Sequence, residues 1–394
     1  MKNRLLIILA PLYFTPCILQ AQTERDSVQI TFKPYVSLRG HIAVFDKEME
    51  VQENITRVGA TFSAKKGIIS FIAASELHLN LFKGGGTFNV DGNNENQFLN
   101  VQTINNTQTF TNRLGYIGVS FEKYGTLTIG KQWSVYYDVT SYTDNFYVFG
   151  GTASATYIGG TDGGESGTGR ASQSVIYRNS IGKFDFGAQI QARAGNNNHF
   201  VDGYGFSAQY HINQQFALGA AYNKAYINKK YITDHKIIGL DNEPTYYAAG
   251  AKYKGERLSI NIVGAIEKNG DIRQGRYYDN VNQLIIPSVV FNAKGFEVYS
   301  KYNFNKFSIH GGYNYYKPDI KAIPLENNQA PLNPSFKVNN LLFGFTYQPL
   351  PFIKIYNEQR IAFGSNNLGI KDKSVFTLGM ILDFSKKFNI KNIM

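Results

Sequence analysis

Apolar and polar residues alternate with a period of two along most of this chain, and no other feature limits its fold as strongly. Between residues 28 and 44 the even positions read Val28, Ile30, Phe32, Pro34, Val36, Leu38, Gly40, Ile42 and Val44. The odd positions read Gln29, Thr31, Lys33, Tyr35, Ser37, Arg39, His41 and Ala43. Side chains on a strand point alternately to opposite faces, so this segment has one apolar face and one polar face. The same alternation returns in 184–193, 258–267 and 376–384. After Ala21 there is no apolar run of 18 residues, which excludes an α-helical membrane span. Aromatic residues make up 14% and charged residues only 18%, the reverse of the balance that keeps a chain disordered.

Residues 1–21 read as an address. Lys2 and Arg4 precede an apolar run over 5–14 that is too short to cross a bilayer, and Ala21 offers a small residue for cleavage. We expect a secretory signal that is removed, lowering the formal charge from +11 to +9 by the loss of Lys2 and Arg4. The single cysteine, Cys17, lies inside it behind Pro16, where lipidation would require a small residue. The mature chain then has neither a disulfide framework nor a thiolate metal site.

Seven short turns recur: Lys65-Lys66-Gly67, 122–125, Ile181-Gly182-Lys183, Asn213-Gln214-Gln215, Lys254-Gly255-Glu256, 303–306 and 348–351. Long polar segments separate them at 83–112, 134–170, 227–245, 269–294 and 318–336. Short turns on one side and long loops on the other mark an outer-membrane barrel. Seven turns joining paired strands, with one strand at each end, predict an all-β fold of sixteen antiparallel transmembrane strands over 22–384, followed by a short basic tail at 385–394. A soluble sheet alternates too, but here the second face is polar throughout, as a water-filled lumen requires. Aromatics near strand ends, such as Tyr136-Tyr137, Tyr246-Tyr247, Tyr277-Tyr278 and Tyr313, Tyr315 and Tyr316, suit the interface girdles. The last strand, ending at Phe384, must pair with the first, because lipid tolerates no open sheet edge.

A succession of short motifs then carries a family resemblance. Arg57-Val58-Gly59, Arg113-Leu114-Gly115-Tyr116-Ile117-Gly118, the run from Gly125 to Trp133, Tyr136-Tyr137-Asp138, Tyr142-Thr143-Asp144, Phe149-Gly150-Gly151, Gly169-Arg170 and Tyr177-Arg178-Asn179-Ser180 follow one another in order. Together they resemble the general diffusion porins of Gram-negative outer membranes. The resemblance implies a homotrimer, set in outer-membrane lipid and lipopolysaccharide, with one pore per subunit. It implies that loop 134–170 folds into the barrel and narrows it. It also implies a wall of basic residues facing acids on that loop, so that a transverse field filters solutes. Carried over residue by residue, the wall is Arg57, Arg113 and Arg170, with Arg39 and His41 on the first strand. The alternation independently assigns Arg39 and His41 to the polar face. The loop contributes Asp138, Asp144, Phe149, Gly150 and Gly151. Where the family has acids before and after Phe-Gly-Gly, this chain has Val148 and Thr152, so the loop keeps fewer acids than the wall keeps bases. Asp162 and Glu165 are acids farther along the loop. A further carry-over makes Glu76 and Lys131 a latch between subunits.

Two functional readings follow. The first is passive diffusion of small hydrophilic solutes and ions with a tilt toward anions, since a pore with excess charge of one sign concentrates the opposite ion. The alternative is a channel selective for phosphate, an organic anion or a sugar; a barrel enzyme is less favoured. The six histidines, His41, His78, His199, His211, His235 and His310, lack metal-ligand spacing. The glycine-rich run 159–169 lacks the Lys-Ser or Lys-Thr of a phosphate loop, and Gly164-Glu165-Ser166-Gly167 does not complete a nucleophile elbow. We expect no cofactor, no metal and no nucleic-acid partner.

Overall fold

The computed structural model describes residues 28–82, 87–88, 101–102, 109–150, 166–194, 199–226, 242–279, 284–319, 333–365 and 369–391. The expected signal segment, Cys17, Gly151, Thr152, Asp162 and Glu165 lie outside them. In chain order the elements are β1 (Gln29–Phe45), β2 (Glu48–Glu53), β3 (Arg57–Lys66), β4 (Ile69–Leu79), β5 (Thr87–Phe88), β6 (Val101–Gln102), β7 (Phe110–Phe121), β8 (Gly125–Trp133), α1 (Tyr137–Thr140) and β9 (Arg170–Ile181). There follow β10 (Phe184–Gln191), β11 (Gly203–His211), β12 (Phe216–Ala225), β13 (Thr245–Lys254), β14 (Leu258–Asp279) and β15 (Leu284–Phe304). The chain ends with β16 (Phe307–Pro318), β17 (Val338–Leu350), β18 (Ile353–Ala362), β19 (Val375–Ser385) and β20 (Phe388–Lys391).

Each long strand pairs antiparallel with the next, and β19 pairs with β1 from Tyr35↔Ser385 to Val44↔Phe376, closing the sheet. β2 and β3 both lie along β1 and form one stave, interrupted at 54–56 where Ile55 takes φ +52°. β5 and β6 pair only with each other. Among the described residues the wall is therefore a closed barrel of sixteen staves. The sequence-expected short turns all join neighbouring staves. Gly67 and Gly182 open two of them at φ +55° and +60°, a backbone region that favours glycine.

The polarity of this barrel is reversed relative to a soluble one. On β1 and β19, Ile42, Val44, Phe376, Leu378 and Met380 point outward and are 39–47% exposed, while Ser37, His41 and Thr377 are buried on the inside. Buried polar residues such as Gln189, Asn223, Glu297, Asn340 and Glu358 line the interior. An apolar outer band around a polar interior is the arrangement that lipid outside and water inside demand. No described helix is long and apolar enough to cross a membrane.

Several expectations need correction. Residues 269–279 and 284–294 are strand rather than loop, because β14 and β15 stay paired out to Asp279↔Leu284, with register shifts at Glu267/Asp271 and Gln274/Tyr277. Leu284-Ile285-Ile286 and Val289-Val290-Phe291 favour extended backbone, which lets the hairpin continue. The loop side instead includes the two-residue turn Asp46-Lys47, both at positive φ, as a type I′ hairpin requires. Within the expected tail, Phe388–Lys391 forms β20 and pairs with Gln29–Phe32 of β1. Tyr136 and Tyr246 do not belong to a girdle; both are buried in the lumen with ring centroids 6.2 Å apart.

Candidate functional site

The chain leaving β8 turns inward and runs along the inner wall. Ser134 N–H donates to Gly169 O at 2.8 Å, which closes the neck of the loop. Tyr136, Val139 and Tyr142 pack against Ala221, Tyr246, Ala248, Val263 and Ala265; the small wall residues leave room for the loop's large ones. Thr143 Oγ1 donates to Glu297 at 2.6 Å, and Asn261 Nδ2 donates to Tyr142 O at 2.7 Å. Farther on, the Phe146 ring meets Tyr299 edge-on at 5.0 Å. The N–H groups of Tyr147 and Val148 both donate to the Glu358 carboxylate, at 2.7 and 2.8 Å, and His310 Nε2 lies 3.1 Å from the same carboxylate. Val148 and Phe149 then join Ala43, Phe45, Leu342, Tyr356, Val375 and Ile381 in an apolar cluster. Val148 thus fills the family's acidic position because here that position is a packing site, where an unpaired carboxylate would be costly.

The inner wall left uncovered by the loop carries arginines. Arg39 (β1), Arg57 (β3), Arg113 (β7) and Arg170 (β9) converge there, and Arg57 feels the other three as like charges and Glu76 as an opposite one. Arg113 Nε and Glu76 Oε1 form an ion pair at 2.8 Å, and the Tyr35 hydroxyl donates to Glu76 Oε2 at 2.8 Å. Arg39 Nε donates to Ser37 Oγ at 2.7 Å, and the Arg170 guanidinium lies 5.6 Å over the Trp133 ring. Asp383, which also acts on Arg39, is bound by Lys354 at 2.7 Å. His41 is engaged with Gln52 at 3.1 Å.

Asp144 is the loop acid that meets this row. Its carboxylate accepts from the Tyr137 hydroxyl, and Tyr137 is held by stacking on Trp133 at 4.0 Å. Burial pushes the Asp144 carboxyl above the usual carboxylate range, while the Tyr137 bond and the charges of Arg57, Arg113 and Arg170 oppose that rise. A methyl group at Gly150 would meet this carboxylate, so a larger residue there would have to displace Asp144.

Other expected pairings differ. Asp138 does not face the arginine row; it binds Arg178 at 2.9–3.2 Å and accepts from Ser207 at 2.9 Å. Burial still raises its carboxyl above the usual range, against the pull of Arg178. The latch expected of Glu76 and Lys131 would join two subunits, and the place of Glu76 within this chain speaks against it. Glu76 lies on the inward row of β4 and is held by Arg113 and Tyr35, whereas Lys131 Nζ donates to Asn112 O at 3.2 Å. A carboxylate turned into the lumen cannot reach over the wall to a neighbour. Sequence reasoning passed over Arg178, Glu297, His310 and Glu358. The available signal was an acid at an inward position of an alternating strand, as in Phe296-Glu297-Val298 and Asn357-Glu358-Gln359.

Known proteins match this arrangement. The family model described as Gram-negative porin matches residues 12–349. The outer membrane porin N of Escherichia coli K12 is 25% identical over 318 residues, covering 72% of this chain and 79% of that protein. The outer membrane protein F of Serratia marcescens is 28% identical over 213 residues, and the chain spans only about half of that relative, 54%. Among solved structures, a Salmonella typhi OmpF complex with daunomycin superposes with a TM-score of 0.65 at 19% identity, covering 90% of this chain and 97% of the other. An anion-selective porin from Comamonas acidovorans superposes with a TM-score of 0.60 at 12% identity, covering 90% and 100%. At these identities the structural likenesses establish the fold alone. The relatives are porins, not enzymes. With the family model spanning most of its length and a closed sixteen-stave barrel beneath it, this chain belongs to the Gram-negative porin family of the outer membrane.

Proposed function

We propose that the protein is a passive diffusion channel for small hydrophilic solutes and ions, acting as a homotrimer with one pore per subunit, and that its constriction favours anions. The observation carrying the tilt is the charge count at the narrowest part. Among the described residues, four arginines meet Asp144 and Glu76, and Glu76 is already neutralised by Arg113. A low-dielectric channel with net positive walls raises the local anion concentration. A solute entering between Asp144 and the arginines must align its dipole with the field across the gap, so size, charge and dipole are all read at one level. The apolar outer band seats the barrel in lipid, and the formal charge of +9 expected once Lys2 and Arg4 are removed from the +11 of the full chain suits the phosphates of lipopolysaccharide.

The test is the reversal potential of the refolded protein in a planar bilayer under a KCl gradient. The expected potential favours Cl⁻, with conductance steps arriving in threes. Arg57→Glu should move it toward K⁺; Arg57 is a better choice than Arg113, whose loss would strand the buried Glu76. A K⁺-favouring potential in the unaltered protein overturns the tilt. A folded barrel without conductance overturns the channel.

A further inference from the structure

We propose that the lumen holds a second anion site, separate from the arginine row, built for a compact multivalent oxyanion such as phosphate. The inference rests on the reading of the chain as a pore. Under the inward loop lies a cavity of about 550 Å³ whose lining includes Lys252, Lys254, Lys301, Ser259, Asn261 and Tyr142. Strand register sets its geometry. Lys254 pairs with Ser259, and Ser259 pairs on its other side with Lys301, so the two lysines flank one hydroxyl across three adjacent strands. One row farther in, Lys252 pairs with Asn261. Neighbouring strands are about 4.8 Å apart, which puts the Lys254 and Lys301 backbones roughly 10 Å apart. Two flexible ammonium groups anchored at that separation can close on one tetrahedral anion, with the Ser259 hydroxyl and Asn261 amide as further donors.

The charge balance of the cavity supports this. Its one lining carboxylate, Asp138, is committed to Arg178 and Ser207. Lys252 is held over the Tyr142 ring at 4.4 Å and donates to Gln209 at 3.3 Å, which fixes its ammonium at the cavity rim. Neither Lys254 nor Lys301 has a carboxylate partner among the described residues. Lys252 feels Asp185 and Asp138 as opposite charges and Lys254 as a like one; the two lysines without a carboxylate partner add to this positive charge, and a bound anion relieves the repulsion among the three. The lysines stand at the short-turn end of β13 and β15, while the arginine row lies on β1, β3, β7 and β9. An anion therefore has two successive stops. Lysines bind as hydrated point charges without the fork of arginine, so the second stop holds a multivalent ion and still releases it, as conduction requires.

The test uses the reconstituted trimer in KCl near pH 7.5, with potassium phosphate added on the short-turn side. The readout is the fraction of KCl current blocked, so that any general change in conductance cancels. In the unaltered protein the block should saturate with phosphate concentration, and acetate at the same concentration should not reproduce it. The double variant K254Q/K301Q should need at least about tenfold more phosphate for half-block, as loss of charge-assisted bonds predicts. Lys301→Glu should abolish saturation. Equal block in the variants, or a phosphate effect that never saturates, overturns the site and leaves the pore reading intact. A folded trimer that carries no KCl current overturns both.

Discussion

Asp144 decides how far the field at the constriction is balanced. Among the described residues it is the loop acid on which Arg57, Arg113 and Arg170 act, and burial holds its carboxyl above the ordinary range. The sign follows directly. A raised value means that the group becomes neutral at a higher pH than a free aspartate does. Lowering the pH from neutral therefore removes the negative charge early, and anion preference should rise. No folding stability is lost in that step, because the charged form is the one that burial disfavours. Reversal potentials recorded from pH 7 downward should show this drift, and Asp144→Asn should start at the higher anion preference and lose this part of the drift. A drift toward cations on acidification would contradict the assignment. Asp138, four-cornered by Arg178 and Ser207, should contribute little; Asp138→Asn should leave selectivity near its original value while loosening the loop's root.

The inward loop is held by apolar packing and by two carboxylates of the wall, Glu297 and Glu358. Glu358 is fully buried and accepts from two consecutive backbone N–H groups of the loop tip, with His310 beside it. Each bond from a neutral donor to a charged acceptor contributes about 1.5–3 kcal/mol. Glu358→Gln keeps the volume, removes the charge and leaves one of the two N–H groups facing an amide NH2. The tip should then sample more positions, read as larger open-channel current noise at unchanged mean selectivity. Quiet channels from a folded variant would mean that the apolar cluster around Val148 and Phe149 suffices. This element shows where sequence reading ends. Arg57, Arg113 and Arg170 were legible from the motifs around them, and Arg39 because the alternation also assigned it to the polar face. The loop's route was not, because its residues lack a period, and a four-residue helix at Tyr137–Thr140 turns Asp138 toward Arg178. The outer halves of β14 and β15 were misread for a related reason: Asn269, at φ +53°, breaks the alternation, although the hairpin resumes beyond it.

For the whole molecule, the period-two pattern gave the two faces, since lipid and water impose opposite demands on them, the seven short turns gave the strand number, and the rule that lipid tolerates no open edge gave closure. Subunit contact was less legible. The outer wall between β3, β4, β7 and β8 carries a shallow recess with the small residues Ala60, Ala73, Ser75 and Gly115 in its lining, beside the larger Phe62, Ile117 and Ile129. Backbones that carry small side chains can approach closely, which suits contact with a second subunit. Ser75→Arg should therefore shift the trimer toward monomer on native electrophoresis while each barrel still resists heat; an unshifted trimer would place the contact elsewhere.

The pairing of β1 with β19, lengthened by β20, also sets the order of events in assembly. The first strand to emerge is stitched to the last, more than 330 positions away, so its edge stays open until synthesis and export are finished. Closing so long a loop is slow, because its entropy is spent before any pairing rewards it. A half-made wall would meanwhile offer a bare β edge to any other chain, so this protein must be kept unfolded on its way out and must zip shut in one late step at its destination.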